Sequence, residues 1–83
     1  MNISMDVCFG KIGTETLIVN NKNSIAIRLN KQGTEIFELI YRGLTKDEII
    51  CLFQKKFNDD KERVEKDINW FCEELYSKEI IEK

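Results

Sequence analysis

The chain has 83 residues, a formal net charge of −2 and 42% hydrophobic residues, which fits one small domain with a single core. An acidic balance is a poor electrostatic match for nucleic acid, and no run approaches the roughly 18 consecutive apolar residues of a membrane span. The first residues lack the basic-then-apolar order of a secretory signal. We therefore expect a single domain over residues 1–83 that works in the cytoplasm.

The first 29 residues predict a three-stranded antiparallel meander with one buried face. Short β-type runs at residues 7–9 and 17–19 are separated by glycines, and an asparagine-rich turn follows the second run. The third run, residues 24–29, alternates between an apolar and a more polar face. Three strands with one apolar face cannot stand alone, so the helices that follow must cover them.

Three helices are predicted after this sheet. Asn30 is suited to cap the first helix and Gly43 to end it. Thr45 with Glu48 predicts a capping box at the start of the second helix, and Asp59 is a candidate cap for the third. The expected apolar faces of the three helices are Ile36, Phe37 and Ile40; Ile49, Leu52, Phe53 and Phe57; and Val64, Ile68, Phe71, Cys72 and Leu75.

These elements predict an α+β fold with the order βββααα. The second and third helices, joined by about three residues, are expected to form a helix-turn-helix-like pair. The tail residues Ile80-Ile81 return as a short strand or lie against the core. Gly33, in the first turn of the first helix, indicates close packing of helix and sheet.

Nothing in the sequence predicts catalysis. There is no histidine, and the three cysteines are widely spaced. We expect neither a metal site nor a disulfide, and we expect reduced, buried thiols with Cys51 and Cys72 at core positions. The carboxylate pair at Asp59-Asp60 belongs to a helix start, not to an apolar cleft that would raise a carboxyl pKa. We therefore expect no enzyme and no cofactor.

Three features leave alternatives open. The helix-turn-helix-like pair could bind DNA, although phosphates would meet at least as many carboxylates as cations on its second helix. Trp70 lies away from the apolar stripe, so it either packs under a chain terminus or contacts a partner. The 24–29 strand lies at a sheet edge without proline or glycine. Either the tail or the N-terminus covers that edge, or the edge accepts an extended peptide by β-augmentation.

The segment from Ile25 to Ile81 resembles the PqqD-like family, also called the RiPP precursor peptide recognition element. The resemblance is loose at each position but ordered along the chain. The matching residues are Leu29-Asn30, Gly33, Ile36-Phe37, Leu39-Ile40-Tyr41-Arg42-Gly43, Thr45, Glu48-Ile49, Phe57, Val64, Asp67-Ile68, Phe71 and Leu75.

This resemblance implies a winged-helix-like fold and a non-catalytic protein that binds the leader segment of a ribosomally made precursor peptide. The leader would add as a strand to the third β-strand, in a cleft against the third helix. The partners implied are the leader and a maturation enzyme, which is a radical SAM protein, a cyclase or a protease. Carried onto this chain, the peptide-binding residues are Ser24, Ile25, Ala26, Ile27, Arg28, Leu29, Val64, Asp67, Ile68 and Phe71.

The sequence thus favours a stand-alone peptide chaperone that binds neither nucleic acid nor membrane. Two alternatives remain: a winged-helix DNA-binding transcriptional regulator, and an interaction domain excised from a larger maturation enzyme. An open strand can also pair with its own copy, which leaves room for a homodimer through the edge.

Overall fold

The fold is a three-stranded antiparallel sheet followed by three helices, which confirms the predicted α+β class and element order. A computed structural model describes residues 1–82. Two short strands at the ends of the described chain pair with each other: the first was not predicted, and the second is the short strand that was one of the two expectations for the tail. In chain order the elements are β1 (Asn2–Ile3), β2 (Val7–Ile12), β3 (Glu15–Asn20), β4 (Ile25–Leu29), α1 (Lys31–Tyr41), α2 (Lys46–Phe57), α3 (Lys61–Ser77) and β5 (Ile81–Glu82).

The sheet has the order β2-β3-β4, so β4 lies at an edge. Alternate residues of β3 point inward, and Thr16, Ile18 and Asn20 are buried. Ile18 is paired with Ile27 of β4, and Thr16 with Leu29. The apolar alternation of the 24–29 run therefore faces the same side as the buried residues of β3, as the sequence predicts.

The predicted caps of the first two helices are present. The Asn30 side chain accepts a hydrogen bond from the Gly33 N–H at 2.8 Å, and Thr45 and Glu48 form the reciprocal capping box. Gly43 follows the end of α1 with φ +91°, a conformation that favours glycine. The predicted cap of α3 is wrong by one residue, because Asp60, not Asp59, accepts from the Glu62 N–H.

One core contains side chains from the inner sheet face, all three helices and the tail. Two predicted core positions of α2 are wrong, since Leu52 and Phe57 are 47% and 50% exposed while Ile50 is buried. Of the three thiols expected to be buried, only that of Cys72 is buried, whereas Cys8 and Cys51 are exposed. Helix α2 packs against its neighbours through Ile49, Ile50 and Phe53. The face that carries Leu52 and Phe57 is therefore left in contact with solvent.

The tail turns back into the core and does not cover the sheet edge. Ile80 and Ile81 are almost fully buried, and β5 pairs with β1 in an antiparallel two-stranded sheet. The Asn20 side chain donates hydrogen bonds to the carbonyl oxygens of Lys78 (3.1 Å) and Glu79 (3.0 Å). These bonds attach the end of α3 to the β3–β4 hairpin.

Candidate functional site

Strand β4 presents an open side. Within residues 1–82 it pairs with β3 alone, and neither chain terminus adds a strand beside it. An edge strand of this kind offers unpaired backbone N–H and C=O groups to an incoming chain. Of the two alternatives that the sequence leaves open, the uncovered edge is therefore the one observed.

The turn between β2 and β3 determines which residues of β4 offer those groups. Ile12 and Glu15 are paired across a two-residue turn, and Gly13 has φ +66°, as in the type II′ turns that close a hydrogen-bonded pair. Hydrogen-bonding direction alternates along an antiparallel strand. Residues 15, 17 and 19 of β3 therefore bond toward β2, and residues 16, 18 and 20 bond toward β4.

The same alternation decides which backbone groups of β4 face β3 and which face away from it. Residues 25, 27 and 29 are the partners of residues 20, 18 and 16, so their backbone groups face β3. At the start of the strand, the Ile25 N–H donates to the Asn23 side-chain oxygen at 3.2 Å. The backbone groups of Ala26 and Arg28 then point away from the sheet. The open edge consequently has its N–H and C=O groups at Ala26 and Arg28, while the side chains of Ile27 and Leu29 lie on the covered face.

A groove of about 490 Å³ runs alongside this edge, between β4, the start of α1 and α3. Its floor is mainly apolar, and charged side chains stand along its rim. The lining residues are Ile27, Arg28, Leu29, Asn30, Gln32, Gly33, Ile36, Asp67, Trp70, Phe71, Glu74, Leu75 and Lys78.

Helix α3 runs antiparallel to β4 along this groove. At one end, the Asn23 side chain just before β4 donates to the Lys78 carbonyl oxygen just after α3, at 3.1 Å. At the other end, a Cβ atom at Gly33 would lie 3.1 Å from the Phe71 ring and 3.3 Å from the Leu29 Cβ. Gly33 therefore lets the Phe71 ring rest against the first turn of α1, which confirms the predicted packing role of this glycine.

Most of the charges that line the groove are already paired. Arg28 forms an ion pair with Glu15 at 2.6 Å, and Lys78 pairs with Glu74 at 2.6 Å. Asp67 is exposed and has neither an ion pair nor a hydrogen bond with any residue in the described part of the chain. The groove is therefore apolar and nearly neutral, with one uncompensated carboxylate toward the N-terminal end of α3.

Five of the ten residues named from the sequence line the groove: Ile27, Arg28, Leu29, Asp67 and Phe71. Ile25 and Ala26 lie on β4 outside the lining, and Ser24 lies in the preceding turn with φ +59°. Val64 and Ile68 are 7% and 2% exposed and contribute to the core beneath the groove.

Sequence reasoning missed the contribution of α1 and most of one face of α3. Trp70 is 66% exposed and lines the groove, so it does not pack under a terminus. Glu74 and Lys78 follow Trp70 at intervals of four residues, which places the three side chains on one face of α3, and this spacing is the signal that marks the face once the open strand lies beside the helix. Trp70 was left open as a partner contact, and the lining residues that the sequence did not place in the site are Asn30, Gln32, Gly33, Ile36, Glu74, Leu75 and Lys78.

Residues 1–82 contain neither a metal-binding cluster nor a membrane-spanning helix. No group of three or more His, Cys, Asp or Glu side chains is placed to hold a metal ion. None of the helices in this range combines the length and the apolar character needed to cross a membrane.

The sheet, the three helices and the open edge beside α3 define a winged-helix-like α+β domain. The family model described as coenzyme PQQ synthesis protein D (PqqD) matches residues 15–81, and the chain belongs to this family. Among solved structures it resembles TbiB1 in complex with the TbiA(beta) leader peptide, with a TM-score of 0.92 and 27% identity. The match covers 99% of this chain and 95% of that one. No curated protein sequence matches the chain.

Proposed function

We propose that this protein is a RiPP recognition element: it binds the leader segment of a ribosomally made precursor peptide and catalyses no reaction itself. The observation that carries the proposal is the unpaired edge of β4 beside an apolar groove. Membership of the PqqD family supports it, as does the likeness to TbiB1, which was solved with a leader peptide. In this function the leader adds to the sheet as a fourth strand.

The mechanism divides affinity and selectivity between backbone and side chains. Backbone groups of Ala26 and Arg28 bond to the incoming strand irrespective of its sequence, because every residue except proline carries the same donor and acceptor. Alternate side chains of the added strand point into the groove, where Ile27, Phe71 and Leu75 offer apolar surface. Burial of those side chains supplies most of the selectivity.

The edge can be tested by removing a single N–H. Ala26→Pro deletes an edge donor and places the proline ring where the peptide would lie, so we expect its affinity for leader to fall about tenfold or more. The melting temperature should change little, since the deleted N–H has no partner in the sheet. Isothermal titration calorimetry would use synthetic leaders taken from short precursor reading frames beside the gene.

Two control variants distinguish the loss of an edge N–H from a general disturbance of β4. Ala26→Thr keeps the N–H and should bind as the wild type does, because the Ala26 side chain is exposed. Ile27→Pro removes a donor that bonds to β3, so it should lower the melting temperature. Equal affinity of the wild type and Ala26→Pro for a leader that the wild type binds would refute strand addition.

We further propose that the bound leader is presented to a maturation enzyme, which is a radical SAM protein, a cyclase or a protease. Such a carrier would act in the cytoplasm, where its three free cysteines stay reduced. Because an edge bonded to leader cannot bond to a second copy, any homodimer through β4 should dissociate as leader is added. Size-exclusion chromatography with and without leader would test this competition.

A DNA-binding role has no observation in its favour. Helix α3 would be the recognition helix of the α2–α3 pair, yet it contains three basic residues against five carboxylates. Phosphate contacts contribute much of the affinity of DNA-binding proteins, and this helix, which has more carboxylates than cations, would repel the phosphates on balance. We therefore do not retain the transcriptional regulator as a second candidate.

A further inference from the structure

One end of the groove holds an exposed carboxylate and an exposed indole side by side. Asp67 and Trp70 are three residues apart on α3, so their side chains are neighbours on one helix face. Both line the groove, and Trp70 is 66% exposed. Within residues 1–82, Asp67 has no ion-pair or hydrogen-bond partner, whereas Glu74, one turn beyond Trp70, is paired with Lys78.

An unpaired carboxylate next to an aromatic face is a suitable site for a cationic side chain. The carboxylate accepts charge-assisted hydrogen bonds from a guanidinium or ammonium group, and the ring face attracts the same cation. We propose that the Asp67 end of the groove binds a Lys or Arg side chain of the captured peptide. This inference rests on the proposed function, since it assigns the chemistry of the same ligand.

Such an anchor answers a question that strand addition alone leaves open. Backbone hydrogen bonds repeat every two residues along a strand. An added strand can therefore shift its register by two residues and keep both its hydrogen bonds and the set of side chains that point into the groove. Only side-chain contacts distinguish these registers. Asp67 is the one lining charge without a partner inside the described residues, so it alone can attract a charge from the peptide without breaking an existing ion pair.

The distance between Asp67 and Phe71 along α3 predicts the sequence pattern of the peptide. Asp67 and Phe71 are four residues apart on α3, a rise of about 6 Å. Alternate residues of an extended strand are about 6.6 Å apart. Because α3 runs antiparallel to β4, a strand added to β4 lies along the same line. The ligand is therefore an extended peptide with a basic residue two positions from an apolar one, both facing the groove.

A display library of random decapeptides tests this without requiring the natural leader. The wild type should enrich peptides that carry Lys or Arg two positions from an apolar residue. Asp67→Lys should enrich Asp or Glu at that position instead, because the charge of the pocket is reversed. Glu73→Gln, an exposed change outside the groove on the same helix, should select the same peptides as the wild type.

A double-mutant cycle then measures the contact itself. One enriched peptide, and its version with Gln in place of the basic residue, are titrated into the wild type and Asp67→Asn. We expect each single change to weaken binding about fivefold, and the combination to weaken it no further. The preference of the wild type for the basic peptide over its Gln version should also become smaller at high salt. Asp67 is exposed and unpartnered within the described residues, so Asp67→Asn should fold as the wild type does.

The outcomes separate this inference from the proposed function. In one outcome, the selected peptides require the N–H of residue 26 and yet show no enrichment of Lys or Arg. That result would overturn the inference and leave the proposed function standing. Strictly additive losses in the cycle would do the same. If the wild type enriches no peptide that Ala26→Pro fails to bind, strand addition and the basic-residue site both fail.

Discussion

Asn20 is a buried polar residue whose amide links two distant parts of the chain. It is fully buried, donates to the carbonyl oxygens of Lys78 and Glu79, and accepts from the Lys22 N–H at 3.0 Å. Glu79 has φ +57°, so the backbone turns sharply where the amide holds it. Since Lys78 lines the groove, Asn20 also positions one end of the candidate site.

We predict that Asn20→Asp destabilises the protein although it barely changes the shape of the side chain. A carboxylate cannot donate to the two carbonyl oxygens and would be buried against them, so the free energy of unfolding should fall by about 2–4 kcal/mol. Urea denaturation at pH 7 measures this. The control is Asn21→Asp, at an exposed neighbour, which should change the same quantity by less than about 0.5 kcal/mol.

Residue-scale features were predictable where the contact is local. The Asn30 cap and the Thr45–Glu48 box could be predicted because each partner lies three residues away. The role of Asn20 could not, since its partners follow 58 and 59 residues later and an asparagine-rich stretch signals only a turn. The same limit applies to Trp70, whose exposure depends on how α3 packs against the sheet.

The start of α2 depends on pH through its capping box. The Thr45 backbone N–H donates to the Glu48 carboxylate at 3.0 Å and, with the Thr45 hydroxyl, holds the pKa of Glu48 below its ordinary value of 4.5. A carboxyl whose pKa is lowered by folding contributes stability that is fully present above the unfolded pKa. That contribution is lost as the pH falls through the folded pKa.

We therefore predict that Glu48→Ala lowers stability at pH 7, and that the gap to the wild type narrows as the pH falls below about 4.5. Urea denaturation at several pH values between 7 and 3 would measure both proteins. Glu65→Ala, at an exposed position of α3 without a capping contact, provides the comparison. A gap for Glu48→Ala that stays constant down to pH 3 would contradict the role of the box.

At the scale of elements, hydrophobic period predicted the type and order of the three main strands and three helices. It was less informative on α2, where Ile49, Ile50, Leu52 and Phe53 are all apolar and the period does not decide which face is inside. Packing against the neighbouring helices decides it, and Leu52 stays at the surface. Strand β1 and its pairing with β5 were missed because a two-residue strand carries too little pattern, whereas a short strand in the tail was one of the two expectations for Ile80-Ile81.

The whole molecule has one thiol in its interior and two at its surface. Cys72 is fully buried, and burial raises the pKa of its thiol, whereas Cys8 and Cys51 are exposed. Because Cys72 lies in the core, its exposure requires the packing of α3 to open. The thiol chemistry of the protein should therefore report on its global unfolding.

We predict that two thiols react promptly with Ellman's reagent in the native protein and that the third reacts slowly. The slow reaction should accelerate with urea in parallel with the loss of helical circular dichroism. A variant with Cys8→Ser and Cys51→Ser should keep the slow phase alone. Prompt reaction of all three thiols without denaturant would show that the core around Cys72 opens far more readily than its burial implies.

The position of Trp70 has a practical consequence. It is the single tryptophan of the chain, and most of its indole faces water at the mouth of the groove. A bound chain would shield that ring from solvent, so the intrinsic emission of the unlabelled protein should shift toward the blue as the groove fills. Trp70 is therefore an intrinsic fluorescent probe, and a titration that follows its emission would measure peptide binding without a label.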